Sequence, residues 1–151
     1  MLSKTETLQS LWVEARTRFT NILKDISTED LTKTLEPSQN SIGFLIRHIG
    51  DVELLFAKNV FKLTTTKVIA KTIIAKKDTG EWTNYNQLID YAAHAFKTLN
   101  SIITQQTNSD WEAIIETKEF GKKTKAEAFG RIISHTTYHA GQIALIKKYG
   151  K

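Results

Sequence analysis

The chain contains no cysteine. That excludes disulfides, thiolate metal ligands and a cysteine nucleophile, so any sulfur chemistry would need sulfur brought from outside. One proline and seven glycines in 151 residues leave few breakers, which favours long helices over many short strands. No apolar run approaches the length of a membrane span, and Met1-Leu2-Ser3-Lys4-Thr5-Glu6 lacks the apolar core of a signal peptide. A cytoplasmic protein with no membrane partner is the expectation. No glycine-rich phosphate loop and no nucleophile-elbow serine is found. What remains is 40% hydrophobic and 25% charged, the balance of an ordinary globular chain, and residues 1–151 read as one domain able to bury a core.

Charge is unevenly placed. Between Leu54 and Lys77 stand Lys58, Lys62, Lys67, Lys71, Lys76 and Lys77 with no acid, so this stretch accounts for the net charge of +5. Such a segment attracts nucleic acid or an anionic substrate. It lacks interleaved aromatics and arginine, however, and reads as a solvated connection with no specific nucleic-acid partner.

Four helical stripes emerge. The first opens at Ser3, with Glu6 completing a capping box, and places Leu8, Leu11, Trp12, Ala15, Phe19, Ile22 and Ile26 on one face. A connection over Ser27–Pro37 follows, with a short turn at Thr28–Leu31. The second helix starts near Asn40 or Ser41; Leu45, Ile49, Val52 and Phe56 define its buried face, with Phe44, His48 and Leu55 along one flank. The stretch from Leu63 to Thr83 is read as a long connection that packs down through Val68–Ile69 and Ile73–Ile74 and turns at Asp78-Thr79-Gly80. Twenty extended residues reach roughly 66 Å, against about 30 Å for a twenty-residue helix, so the connection can run the length of a bundle. It would then leave helices two and three parallel. Helix three spans about Asn84 to Gln106, places Tyr85, Leu88, Ala92, Ala95, Leu99, Ile102 and Ile103 on its apolar face, and breaks at Thr107-Asn108-Ser109-Asp110. Thr124 and Glu127 form another capping box, and helix four turns Phe129, Ile132, Ala140 and Ile143 inward before Gly150. With no convincing β alternation, the expectation is an all-α four-helix bundle.

The histidines carry the chemistry. His135 and His139 lie one turn apart on one helix face, close enough to grip one ion. His48 lies about 60° from the centre of its helix's stripe, on the inner side, whereas His94 lies about 140° from the apolar centre of helix three and reads as a surface residue. Two readings stay open: core imidazoles hydrogen-bonded to neighbours, or one metal shared by His48, His135 and His139. Asp51, three residues after His48, is the acid placed to orient that imidazole or take a proton, unless it is a solvated flank residue. Gln142 shares the azimuth of His135 and could donate to a water or substrate, or serve as an interhelical amide. Glu53 points about 140° from His48 and looks irrelevant to the site. Zinc peptidases need Glu directly after the first histidine of the pair. Thr136 stands there, so peptidase activity is not expected.

Ser41-Ile42-Gly43-Phe44-Leu45-Ile46-Arg47-His48-Ile49 and His135-Thr136-Thr137-Tyr138-His139-Ala140-Gly141-Gln142-Ile143 together resemble the motifs of the DinB-like family of damage-inducible metal-binding bundles. That family includes bacterial thiol-dependent S-transferases. The resemblance implies an up-down-down-up four-helix bundle, zinc or nickel bound by His48, His135 and His139, a stress-response setting in a bacterium, and a homodimer. Many members carry Arg after the last histidine, where this chain has Ala140, so no anionic-substrate anchor is carried over.

The function expected is that of a divalent-metal-dependent enzyme, a transferase activating a low-molecular-weight thiol as cosubstrate toward a small-molecule electrophile, with Asp51 and Gln142 assisting. Metal-dependent hydrolysis, with water in place of the thiol, is the alternative enzyme class. A non-catalytic metal-binding stress-response bundle is the alternative outside enzymes.

Overall fold

In a computed structural model describing residues 1–151, four long helices are joined by shorter elements. Helix α1 spans Lys4–Lys24 and is followed by a 3-10 turn at Glu29–Thr32; α2 spans Ile42–Asn59, α3 Lys71–Ala75, α4 Tyr85–Thr104 and α5 Asn108–Glu112. Strands β1, Ile114–Thr117, and β2, Gly121–Thr124, lead into α6, Lys125–Tyr149. The starts of α1 and α6 carry the expected capping boxes, Ser3 with Glu6 and Thr124 with Glu127, while Ser41 and Asn84 cap α2 and α4. Each cap satisfies amide groups that would otherwise be orphaned at a helix start. The chain is mostly helical, and no helix is long and apolar enough to cross a membrane.

Helix α2 packs chiefly on α4 and α6, and α1 on α6 and α4. The α2–α4 approach is close: a Cβ on Gly50 would stand 2.8 Å from the Tyr91 ring, so only glycine fits there without displacing it. The core falls into two clusters. Phe19, Leu45, Ile49, Ala92 and Ile143 belong to one; Trp12, Phe56, Leu99, Trp111, Phe129 and Ile132 belong to the other.

Between the two clusters runs a polar layer that the stripes did not predict. Arg16 Nε donates to Glu53 Oε1 at 2.9 Å, its Nη2 reaches Glu53 Oε2 and the Ala92 carbonyl, and Thr136 Oγ1 donates to Glu53. Glu53 is fully buried. This corrects one expectation. The buried face of α1 is Trp12, Arg16, Phe19 and Leu23, while Leu11 is 56% exposed. An apolar stripe cannot reveal a buried arginine whose charge is met by a carboxylate on another helix. The Arg16–Glu53 pair ties α1, α2, α4 and α6 together, and Glu53 stands outside the histidine cluster, as its phase on α2 implied.

Two further corrections concern the connections. The expectation of no strands fails at Ile114–Thr124, where an antiparallel hairpin pairs Ile115 with Lys123 and Glu116 with Lys122. Its strands are four residues long, too short for alternation to register. Gly121 takes the positive φ of 69° that its turn requires. The lysine-rich connection does pack down, but through Ala70 and Thr72. Ile69 and Ile74 face outward, Ile74 by 72%, and Ile73 is part-exposed beside the histidines. The expected turn after it is present, with Asp78 Oδ1 accepting from Gly80 N, while Asp78 Oδ2 accepts from Ser41 N and Oγ.

Candidate metal centre

Helices α2 and α6 bring His48, His135 and His139 together, with one ring nitrogen of each within 4.8 Å of the others. His48 Nε2 and His135 Nε2 stand 3.1 Å apart. The ring centroids lie 5.0 Å apart for His48–His135, 4.9 Å for His48–His139 and 4.4 Å for His135–His139. The pair on α6 meets because i and i+4 share a face, and His48 reaches it because α2 packs on α6. All three rings are half-buried. His94 is exposed on α4, as its phase predicted.

Burial holds all three imidazoles neutral at neutral pH. It pushes His48 down to about 4, with the charge of His139 adding and Asp51 opposing. His135 falls to about 3, through burial and then the charges of His139 and His48. His139 is lowered by burial against the opposing hydrogen bond of Gln142. Neutral imidazoles offer lone pairs, the form a metal requires.

Two of the rings are oriented by neighbours. Gln142 Oε1 accepts from His139 Nδ1 at 2.6 Å; an amide oxygen has no proton to give, so the proton sits on Nδ1 and the Nε2 lone pair is free. The expectation for Gln142 is a donor to a water or substrate, or an interhelical amide. Its carbonyl serves His139 instead, and its Nε2 donates to Tyr138 Oη. His48 Nδ1 lies 3.1 Å from Thr72 Oγ1 on α3. The third ring is not oriented: the buried Nδ1 of His135 has no partner. Three neutral imidazoles from two helices, two of them oriented and one with an orphaned nitrogen, fit a divalent cation as their common partner.

Asp51 is no solvated flank residue; it is fully buried. Its Oδ1 accepts from Arg47 Nε at 2.8 Å and from Tyr91 Oη at 2.6 Å, and its Oδ2 from Thr72 N and Oγ1. Burial, then the bond to Asp51, pushes the Tyr91 phenol well above its ordinary range, so Tyr91 stays a donor. Asp51 touches His48 through Thr72. No apolar pattern marks Thr72, which stands between Lys71 and Ile73 in the lysine-rich stretch, and nothing in the sequence sets it apart from the other threonines there.

The histidines open into a cavity of about 590 Å³. Val52, Leu55 and Phe56 of α2, Ile73 of α3 and the hairpin turn Thr117–Phe120 line it. Phe120 stacks on Phe56, with Arg131 over its ring. Glu119, exposed on the hairpin, is the one carboxylate on the cavity wall.

No curated protein matches the chain. A family profile described as the DinB superfamily matches residues 11–143. That span holds both histidine motifs and parts of all four long helices. The chain belongs to the DinB superfamily.

Proposed function

We propose that the protein binds one divalent ion, zinc or nickel, through His48, His135 and His139, and uses it as a transferase that activates a small-molecule thiol. The observation that carries this reading is the meeting of three neutral imidazoles at the floor of an apolar-walled cavity. When bound, such an ion supplies a positive charge that favours proton loss from a thiol or water placed beside it. With no cysteine in the chain, the nucleophilic sulfur comes from the thiol cosubstrate. Val52, Leu55, Phe56, Ile73 and Phe120 receive the apolar body of an electrophile and keep water from it. Thr72 and Gln142 hold the rings of His48 and His139, and Asp51 acts behind Thr72. All four donors that reach Asp51 are protein groups, and it lines no part of the cavity. It therefore offers no general base for hydrolysis.

In this reading the long helices run up, down, down, up. Supporting this order, Tyr85 Oη donates to the Leu23 carbonyl and Gln9 to Asn100, while Lys147 Nζ donates to the Asp25 carbonyl. We place the protein in the cytoplasm of a bacterium, as a homodimer in a stress response, on the family's habits.

The reading predicts that zinc- or nickel-loaded protein conjugates a bacterial low-molecular-weight thiol to a generic aryl halide, and that the His139→Ala protein does not. A panel of thiols with apo and loaded protein checks it. Turnover of a simple ester or amide with no conjugation would replace the transferase with a hydrolase. Reaction of neither class would leave a metal that only braces α2 and α6.

A further inference from the structure

We propose that Thr72, on the short helix of the lysine-rich connection, is a positioning residue for His48. It links the buried carboxylate of Asp51 to the imidazole and holds that ring with its proton on Nδ1 and its Nε2 lone pair toward His135. The proposal rests on the metal-binding reading of the three histidines.

Proton bookkeeping assigns the direction of the chain of bonds. Thr72 Oγ1 lies 2.8 Å from Asp51 Oδ2 and 3.1 Å from His48 Nδ1. A hydroxyl has one proton to donate and lone pairs to accept. Asp51, paired with Arg47, can only accept, so the hydroxyl proton points to Oδ2. Reversing it would leave two oxygens facing each other with no proton between them. Oγ1 must then accept from His48, which puts the ring proton on Nδ1. The free lone pair is left on Nε2, 3.1 Å from His135 Nε2.

The arrangement is fixed from several sides. Thr72 is 2% exposed and Asp51 fully buried. Asp51 Oδ2 also accepts from the Thr72 backbone N–H at 2.9 Å, and Arg47 Nη2 donates to the Ile69 carbonyl three residues upstream. A helix of five residues is too short to stand alone, so these bonds hold α3 against α2. Ile73, the next residue, lines the cavity. One short element thus sets a ligand ring and forms a cavity wall.

The test compares wild type with Thr72→Val, which keeps the shape and removes the hydroxyl, and Thr72→Ser, which keeps the hydroxyl. Zinc affinity is read by competition with a chromophoric chelator, and the tautomer of His48 by nitrogen-15 NMR of the metal-free protein; circular dichroism reports folding. Thr72→Val should weaken zinc binding about 10- to 100-fold, the range for loss of a ligand's hydrogen-bonded neighbour, and His48 should no longer hold a single Nδ1–H form. Thr72→Ser should restore both. A folded Thr72→Val protein with either readout unchanged overturns the proposal. So does a wild-type His48 protonated on Nε2, a result that needs no variant to fold. If wild type binds no zinc, the metal reading fails separately, and the His48 tautomer still decides the role of Thr72.

Discussion

Alanine at His135 is expected to weaken zinc binding by more than about 100-fold, beyond the loss that removal of an orienting neighbour brings. His135 adjoins both other rings, with Nε2 3.1 Å from that of His48 and its centroid 4.4 Å from that of His139. Without it, the remaining ligands are one imidazole on α2 and one on α6, too few to close a structural or catalytic zinc site. Its depressed pKa means that no proton competes with the metal at neutral pH, so nothing at this position offsets the loss. His94→Ala is the matched control: exposed on α4, it should leave affinity unchanged and stability within about 0.5 kcal/mol. Chelator competition on both variants checks this. Undiminished affinity in His135→Ala would remove that residue from the ligand set.

Glu53→Ala is expected to cost about 3–5 kcal/mol of folding stability, the penalty for leaving a buried partner charge unmet. Arg16 is 5% exposed and loses two of its bonds in that variant, keeping the Ala92 carbonyl and Thr20. Burial pushes the Glu53 carboxyl pKa up, opposed by Arg16. Arg16 meets both carboxylate oxygens and Thr136 adds a third bond, while burial keeps the pair from water. Replacing both together, Arg16→Met with Glu53→Leu, should recover most of the loss, because a packed apolar pair of similar volume carries no desolvation cost. Urea denaturation of the single and double variants gives the comparison. A single variant within about 1 kcal/mol of the parent would show that water reaches the pair and that the layer contributes little.

The long helices and the histidine cluster were legible in the sequence because both rest on periodicity. The capping boxes at Ser3 and Thr124 and the apolar repeats of α2, α4 and α6 report local geometry directly, and the spacing of His135 and His139 does the same. What escaped depends on contacts between distant segments. Arg16 breaks the pattern of α1, and only its meeting with Glu53, 37 residues on, makes its burial tolerable. Asp51 looked like a flank residue because the donors that justify its burial include Tyr91, on α4, and Thr72, in a connection. Gln142 shares the azimuth of His135, and azimuth alone does not show that its side chain turns to His139, three residues away. The hairpin was lost because four-residue strands are shorter than any period can reveal, although the Glu116–Lys122 pair and Gly121 were its local signs.

The central claim, a divalent ion held by three imidazoles, is tested most directly by X-ray absorption on protein purified without an affinity tag, loaded with zinc and freed of excess metal. The account predicts one ion per chain with three imidazole nitrogens at about 2.0–2.1 Å. Loss of the metal on desalting, or a shell with no more than one imidazole, would contradict it.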